Sequence, residues 1–244
     1  MNNEIYKTSF KSTKVHTILS RIIQEPTLKF QSDEMRSDKK FVLIAVLEDS
    51  RNLEYASNEL KNNKEIIITA VQNFGLNLQF ASDELKNDRE VVIAAVRQHG
   101  CSLKYASSQL KNDKDVALLA ITQHGAALQF VSNKFKKDRE MVNIAISNYF
   151  IALQYASKKL RDDKEIVLKA ISHNPYNLKF ASDKLKNDRE FIIELLTHYN
   201  CSLEYVSEEC KNDREIVKIA LQKNKNDYIW ASDNLKSDIE MLNI

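Results

Sequence analysis

The sequence predicts an all-α fold, an α-solenoid of stacked helix–turn–helix units with a 25-residue period. Three observations lead there. First, nine serines recur without a gap, from Ser32, Ser57 and Ser82 through to Ser232. Each follows an aromatic by two residues, from Phe30 and Tyr55 to Trp230, and a leucine by four, with Tyr228 the exception. Second, Asp stands six residues after each serine, replaced once by Asn63. A fixed period of this length marks a repeat architecture whose units bury their sides against one another. Third, the chain of 244 residues has 3 Gly and 2 Pro. Turn-rich β folds need more residues with special backbone angles than that.

Residues 77 to 100 show how one unit is expected to form. Asn77 is suited to cap a first helix, as are Thr27, Asn52, Ser102, Asn177, Ser202 and Asp227 in the same slot. Leu78, Ala81, Ser82 and Leu85 then share a helical face, and Phe80 points about 200° away from Leu78. A helix apolar on two sides fits between neighbours. The segment Lys86 to Glu90 ends that helix and starts another, capped by Asp88 or by Asn87 in a capping box with Glu90. Val91, Val92, Ile93, Ala95 and Val96 cover a wide arc, as an inner helix requires. Gly75, Gly100 and Gly125 stand where a left-handed helix ending is expected, and Phe150, Pro175, Asn200 and Lys225 replace them later. Phe and Tyr alternate over the first eight units, so a 50-residue period overlies the shorter one. A leucine-rich repeat is the main rival, but the aromatic-Ala-Ser-x-x-Leu block lacks its leucine and asparagine spacing.

The organisation expected is a divergent capping half-repeat over residues 1–25, with Thr13 capping a helix from Val15 to Gln24, followed by nine units over 26–244. The ninth stops at Ile244, after Met241 and Leu242. That apolar end suggests either a piece of a longer protein or a last helix that frays.

The pattern Leu-x-(Phe/Tyr)-Ala-Ser-x-x-Leu-Lys-Asn-Asp-(Lys/Arg)-Glu-Val-Val-x-x-Ala-Val resembles the DUF4116 family, a domain of unknown function made of tandem helical repeats. The resemblance spans 26–244 and is closest over 77–121 and 177–194. It departs at Gln31, Lys40, Leu195 and Cys210. It implies a tandem helical array drawn as 50-residue modules and no established activity, hence no cofactor and no catalytic residue.

Charge and composition narrow the function. The 36 basic and 34 acidic residues leave a net charge of +2. This argues against nucleic acid or membrane as the main partner. Cys101, Cys201 and Cys210 fit free thiols in a reducing, cytoplasmic setting. Met1 to Phe10 lacks a signal-peptide core, and no stretch of eighteen apolar residues occurs. Nine equivalent serines cannot all be nucleophiles, since catalysis needs one serine beside one base. The histidines fall in shared slots, His99 with His124 and His173 with His198, too few ligands for a metal centre. Neither HExxH nor CxxC is present.

Two surfaces remain as candidates. A basic slot, Lys61, Lys86, Lys111, Lys136, Arg161, Lys186 and Lys211, would form a ladder with steps roughly 10 Å apart and could track phosphates, though acids accompany each step. The other is the turn after the second helix, where slots vary most and aromatics gather: Phe74, Tyr149, Phe150, Ile151, Tyr176 and Tyr199. Exposed aromatics in turns suggest contact with a partner. The expectation is therefore a non-catalytic protein–protein interaction scaffold whose partner is another protein. The alternatives are a phosphate-backbone binder and an accessory region of a larger protein.

Overall fold

A computed structural model of the chain describes residues 27–237. The expected helix Val15 to Gln24 and the terminal Met241, Leu242 and Ile244 lie outside the described residues. Among the described residues no strand occurs, and the chain forms two compact units, one up to Val116 and one from Ala117.

Among the described residues eight ten-residue helices carry the repeat: α1 Lys39–Glu48, α2 Lys64–Asn73, α3 Arg89–Gln98, α4 Lys114–Gln123, α5 Arg139–Asn148, α6 Lys164–His173, α7 Arg189–His198 and α8 Arg214–Lys223. Ten residues are too few for a helix to persist alone in water. Burial makes up the difference. In α3, Val91, Val92, Ala95 and Val96 are wholly buried, and each burying valine contributes roughly 1.5 kcal/mol or more. The cap ambiguity resolves in favour of Asp88, whose Oδ1 accepts from Glu90 N and Val91 N at 2.9 and 3.2 Å. Asn87 closes the preceding helix instead.

The expected first helix is two pieces. A 3-10 helix, Gly75–Phe80, ends at Ala81 in extended backbone (φ −64°, ψ 153°), and Ser82 then caps a one-turn α-helix, Asp83–Lys86. Asn77 is thus inside the 3-10 helix and not its cap. It is buried and spends its amide on carbonyls, Ser50 O at 3.1 Å and Ala70 O at 3.2 Å. Thr27 and Ser202 do cap 3-10 helices. Phe80 is half-buried, not sandwiched. The glycines are corrected too, because no glycine has positive φ among the described residues. A Cβ on Gly75 would lie 2.4 Å from Ala95 O, and one on Gly125 would lie 2.3 Å from Ala145 O. Glycine stands there because α3 and α5 approach those turns closely.

Successive repeats are joined by the periodic serine. Ser107 N donates to Lys86 O at 2.9 Å, its Oγ accepts from Leu110 N at 3.2 Å, and its hydroxyl donates to Asn87 Oδ1 at 2.5 Å. The same hydroxyl bond recurs from Ser82 to Asn62, Ser182 to Asp162, Ser207 to Asn187 and Ser232 to Asn212. At these five positions a single hydroxyl therefore caps its own helix and ties it to the previous repeat, whereas Ser132 Oγ is buried without a hydrogen-bond partner.

Candidate functional site

The aromatic turn residues lie where the repeat's regular frame is loosest. Phe150 occupies the glycine slot, and the following 3-10 helix begins only at Ala152, with Ile151 at φ −121°, ψ 24°. Its ring is 54% exposed, against 40% for Phe74 and 37% for Tyr176. Tyr149, Ile151 and Tyr199 are half-buried. Asn200, beside Tyr199, has φ 51°, the one positive non-glycine value among the described residues.

Two ring clusters result, both in the second unit. Tyr149 stands 5.3 Å from His124 and 5.3 Å from Phe150. Tyr176 packs edge-on against Phe180 at 5.6 Å and Tyr205 at 5.4 Å. Lys179 Nζ lies 5.1 Å from the Tyr176 ring centre and donates to its hydroxyl oxygen at 2.9 Å. Burial and the neighbouring Glu204 push the Tyr205 phenol up to about 12. Asn177 joins the turns, its Nδ2 donating to Phe150 O at 2.6 Å. Phe74 belongs to the first unit and stands apart from this grouping in the sequence's own terms. Tyr199 makes no ring contact among those of the described residues. Of the expected centre, Tyr149 and Phe150 share one ring cluster and Tyr176 stands in the other, the two linked through the Asn177 amide on Phe150 O.

The predicted basic ladder is half-buried along its length. Lys61, and Arg36 in the same slot one repeat earlier, reach the ends of the 3-10 helices. Lys61 Nζ donates to Glu54 O at 2.7 Å, and Arg36 donates to Leu28 O and Lys29 O at 3.2 and 2.7 Å. Cations suit the negative ends of helices. Desolvation pulls Lys61, Lys111 and Lys136 below the usual lysine range. Lys86, Lys186 and Lys211 lie 3.9, 3.6 and 2.8 Å from Asp83, Asp183 and Glu208 in their own repeats.

A second row of cations opens the long helices, and sequence reasoning did not single it out. Lys64 meets Asp88 and Glu90 at 2.8 and 2.7 Å, Arg89 meets Asp113 and Asp115 at 3.3 and 3.0 Å, and Arg189 meets Asp213 at 2.8 Å and also Glu215. Each pair spans one repeat, since the acceptors are the next cap Asp and its first-turn acid. The hydrogen bond from Lys164 and the backbone N–H of Phe191 hold the Asp188 carboxyl below the usual range. For Asp113 the Val116 N–H does most, and Arg89 adds to it against the opposing effect of burial. The signal was the recurring Asp-(Lys/Arg)-(Glu/Asp) triplet, whose partners are 24 and 26 residues away.

Other chemistry is muted. All three cysteines are free thiols, and burial pushes Cys201 up to about 12. His173 Nδ1 lies 2.8 Å from Lys169 O, and His124 Nδ1 accepts from Ala126 N. Among the described residues no group of three or more His, Cys, Asp or Glu converges as metal ligands, and no helix is long and apolar enough to cross a membrane.

The family model described as "Domain of unknown function (DUF4116)" matches residues 25–61, 63–111, 113–161, 163–211 and 188–236. Its last two matches overlap with a shift of one repeat, so the 25-residue unit underlies the 50-residue module. No curated protein and no solved structure matches the chain.

Proposed function

We propose that this chain, which belongs to the DUF4116 family of tandem repeats, is a non-catalytic scaffold that binds another protein. One observation carries the reading. The turn that holds Phe150 and the next one, at Tyr176, expose large apolar side chains, Phe150 the more of the two. Phe150 lends the frame only its carbonyl, to Asn177, and its ring stays 54% exposed. Rigid aromatics at low entropic cost are what binding hot spots are made of. The three cysteines, none of them in a disulfide, support a reducing, intracellular setting. The phosphate-tracking alternative has weaker support, because the net charge is only +2 and Lys86 and Lys211 have acids of their own repeats beside them.

Affinity capture from lysate with the wild-type chain and with Phe150→Ala/Tyr176→Ala tests this. The expected outcome is a partner recovered by the wild type and reduced at least tenfold in the double variant, with unchanged thermal midpoints. Equal recovery by both would remove the aromatic turn as the contact.

A further inference from the structure

The exposed faces of the one-turn helices change sign along the chain. The slot after the cap serine is acidic at Asp33, Asp83, Asp183, Glu208 and Asp233, and cationic only at Lys158. The next slot holds Glu34, Glu59 and Glu84, then Lys134, Lys159 and Lys184, and returns to acid at Glu209. Lys158 and Lys159 open a helix, Lys158–Arg161, whose first turn has no acidic residue. Cations at that end oppose the backbone N–H groups. A local rule broken with no structural return points to a use elsewhere.

Around Lys158 the structure holds a groove of about 270 Å³ lined by Lys158, Arg161, Lys179, Ser182, Asp183 and Lys186. Four cations face one carboxylate there. That carboxylate, Asp183, is fully exposed and 3.6 Å from Lys186. Arg161 is held by Nη1 donating to Phe180 O at 3.4 Å, and its Nε is buried without a hydrogen-bond partner. Among the described residues no ion pair engages Lys158. Lys179 joins this groove to the Tyr176 hydroxyl, so the basic surface and an aromatic wall adjoin.

We infer that this groove takes a short acidic segment of a partner protein, its carboxylates on Lys158, Arg161 and Lys186 and its apolar side chains against Tyr176 and Tyr205. The inference rests on the scaffold reading and names the partner's chemistry. A nucleic-acid strand fits less well for two reasons. A phosphate backbone needs a continuing basic track, and Glu204 and Glu208 line the adjoining groove beside Lys179 and Lys186. Bases stack on open ring faces, whereas Tyr176 and Tyr205 are packed edge-on at 82° and Lys179 lies over the Tyr176 ring.

Fluorescence anisotropy with a labelled hexaglutamate peptide, a hexaglutamine control and a hexauridylate oligonucleotide tests the assignment on the full chain. The acidic peptide is expected to bind in low salt, the glutamine peptide not to bind, and added salt to weaken the complex. Lys158→Glu and Arg161→Gln should each raise Kd at least fivefold, while Lys223→Glu, at an exposed position of α8, leaves it unchanged. Lys158 is exposed, so its variant keeps the test readable even where Arg161→Gln disturbs folding, as circular dichroism would report. Absent peptide binding, equal losses in Lys223→Glu, or tighter binding of hexauridylate would each overturn the inference. If peptide binding fails while Phe150→Ala/Tyr176→Ala still abolishes partner capture, the scaffold reading stands without this groove.

Discussion

The turns at Gly75 and Phe150 occupy the same slot and behave oppositely. At Gly75 the 3-10 helix starts at once, the backbone is buried and Ala95 O leaves no room for a Cβ. At Phe150 the helix starts two residues later and the ring reaches solvent. Yet the carbonyl of the slot does the same work in each half of the chain, since Asn77 donates to Ser50 O and Asn177 to Phe150 O. The difference teaches that the frame is held by backbone oxygen and by the asparagine of the next repeat. The side chain of the slot is free to vary only where the neighbouring helix stands back.

That contrast breaks most sharply under substitution at the glycine. Gly75→Leu forces a side chain into the Ala95 carbonyl and the Ser102 hydroxyl and should cost about 3 kcal/mol, read as a lower urea midpoint. Phe150→Ala should stay within about 0.5 kcal/mol of wild type. Comparable losses at both positions would show that the two turns are not different in kind. Next in size, Asn177→Ala removes the amide donor from Ala170 O, Asn174 O and Phe150 O; the first two keep backbone donors, so the loss falls on Phe150 O and should cost about 2 kcal/mol. Asn77→Ala should match it if the slot is held alike in both units. Ser107→Ala removes a cap and one inter-repeat bond, worth about 1 kcal/mol.

The smallest effect expected is acid sensitivity. Asp188 and Asp113 are ionised more readily in the fold than in the open chain. Their contribution is complete above the unfolded carboxylate value near ~4 and is lost as pH falls through their lower folded values. The thermal midpoint should be level from about pH 7 to 5 and drop below about pH 4. Asp188→Asn should flatten that drop, and an unchanged acid limb would deny the pair its role.

Much of the fold was legible because the period is explicit. α3 as a buried helix follows from spacing alone, whereas spacing leaves Asp88 and Asn87 both open as its cap and the bonds to Glu90 N and Val91 N decide for Asp88. The break at Ala81–Ser82 was not legible. Leu78, Ala81, Ser82 and Leu85 satisfy helical spacing equally well when the chain kinks between them, and only the routing of the Ser107 hydroxyl to Asn87 reveals the joint. Asn77 misled for a related reason: it has the chemistry of a cap, but its acceptors lie in the preceding helix and the preceding turn, seven and 27 residues earlier. At the candidate site the aromatic cluster was visible as unusual turn composition. The burial of the ladder lysines was not, since a lysine stem looks the same in sequence whether it stands out or folds back. Phe30 and Trp230 occupy the packing slot yet are 71% and 37% exposed, which the shared motif could not distinguish.

The serine joint carries a consequence for the size of the molecule. At five junctions the serine hydroxyl donates to a residue twenty positions earlier in the preceding copy, in matching register. Excising or adding one whole period therefore recreates the same interface between new neighbours, whereas a change of any other size would leave hydroxyls facing the wrong atoms. Length is thereby quantised but otherwise unconstrained, so such an array can be extended or shortened by recombination between copies without inventing a new contact.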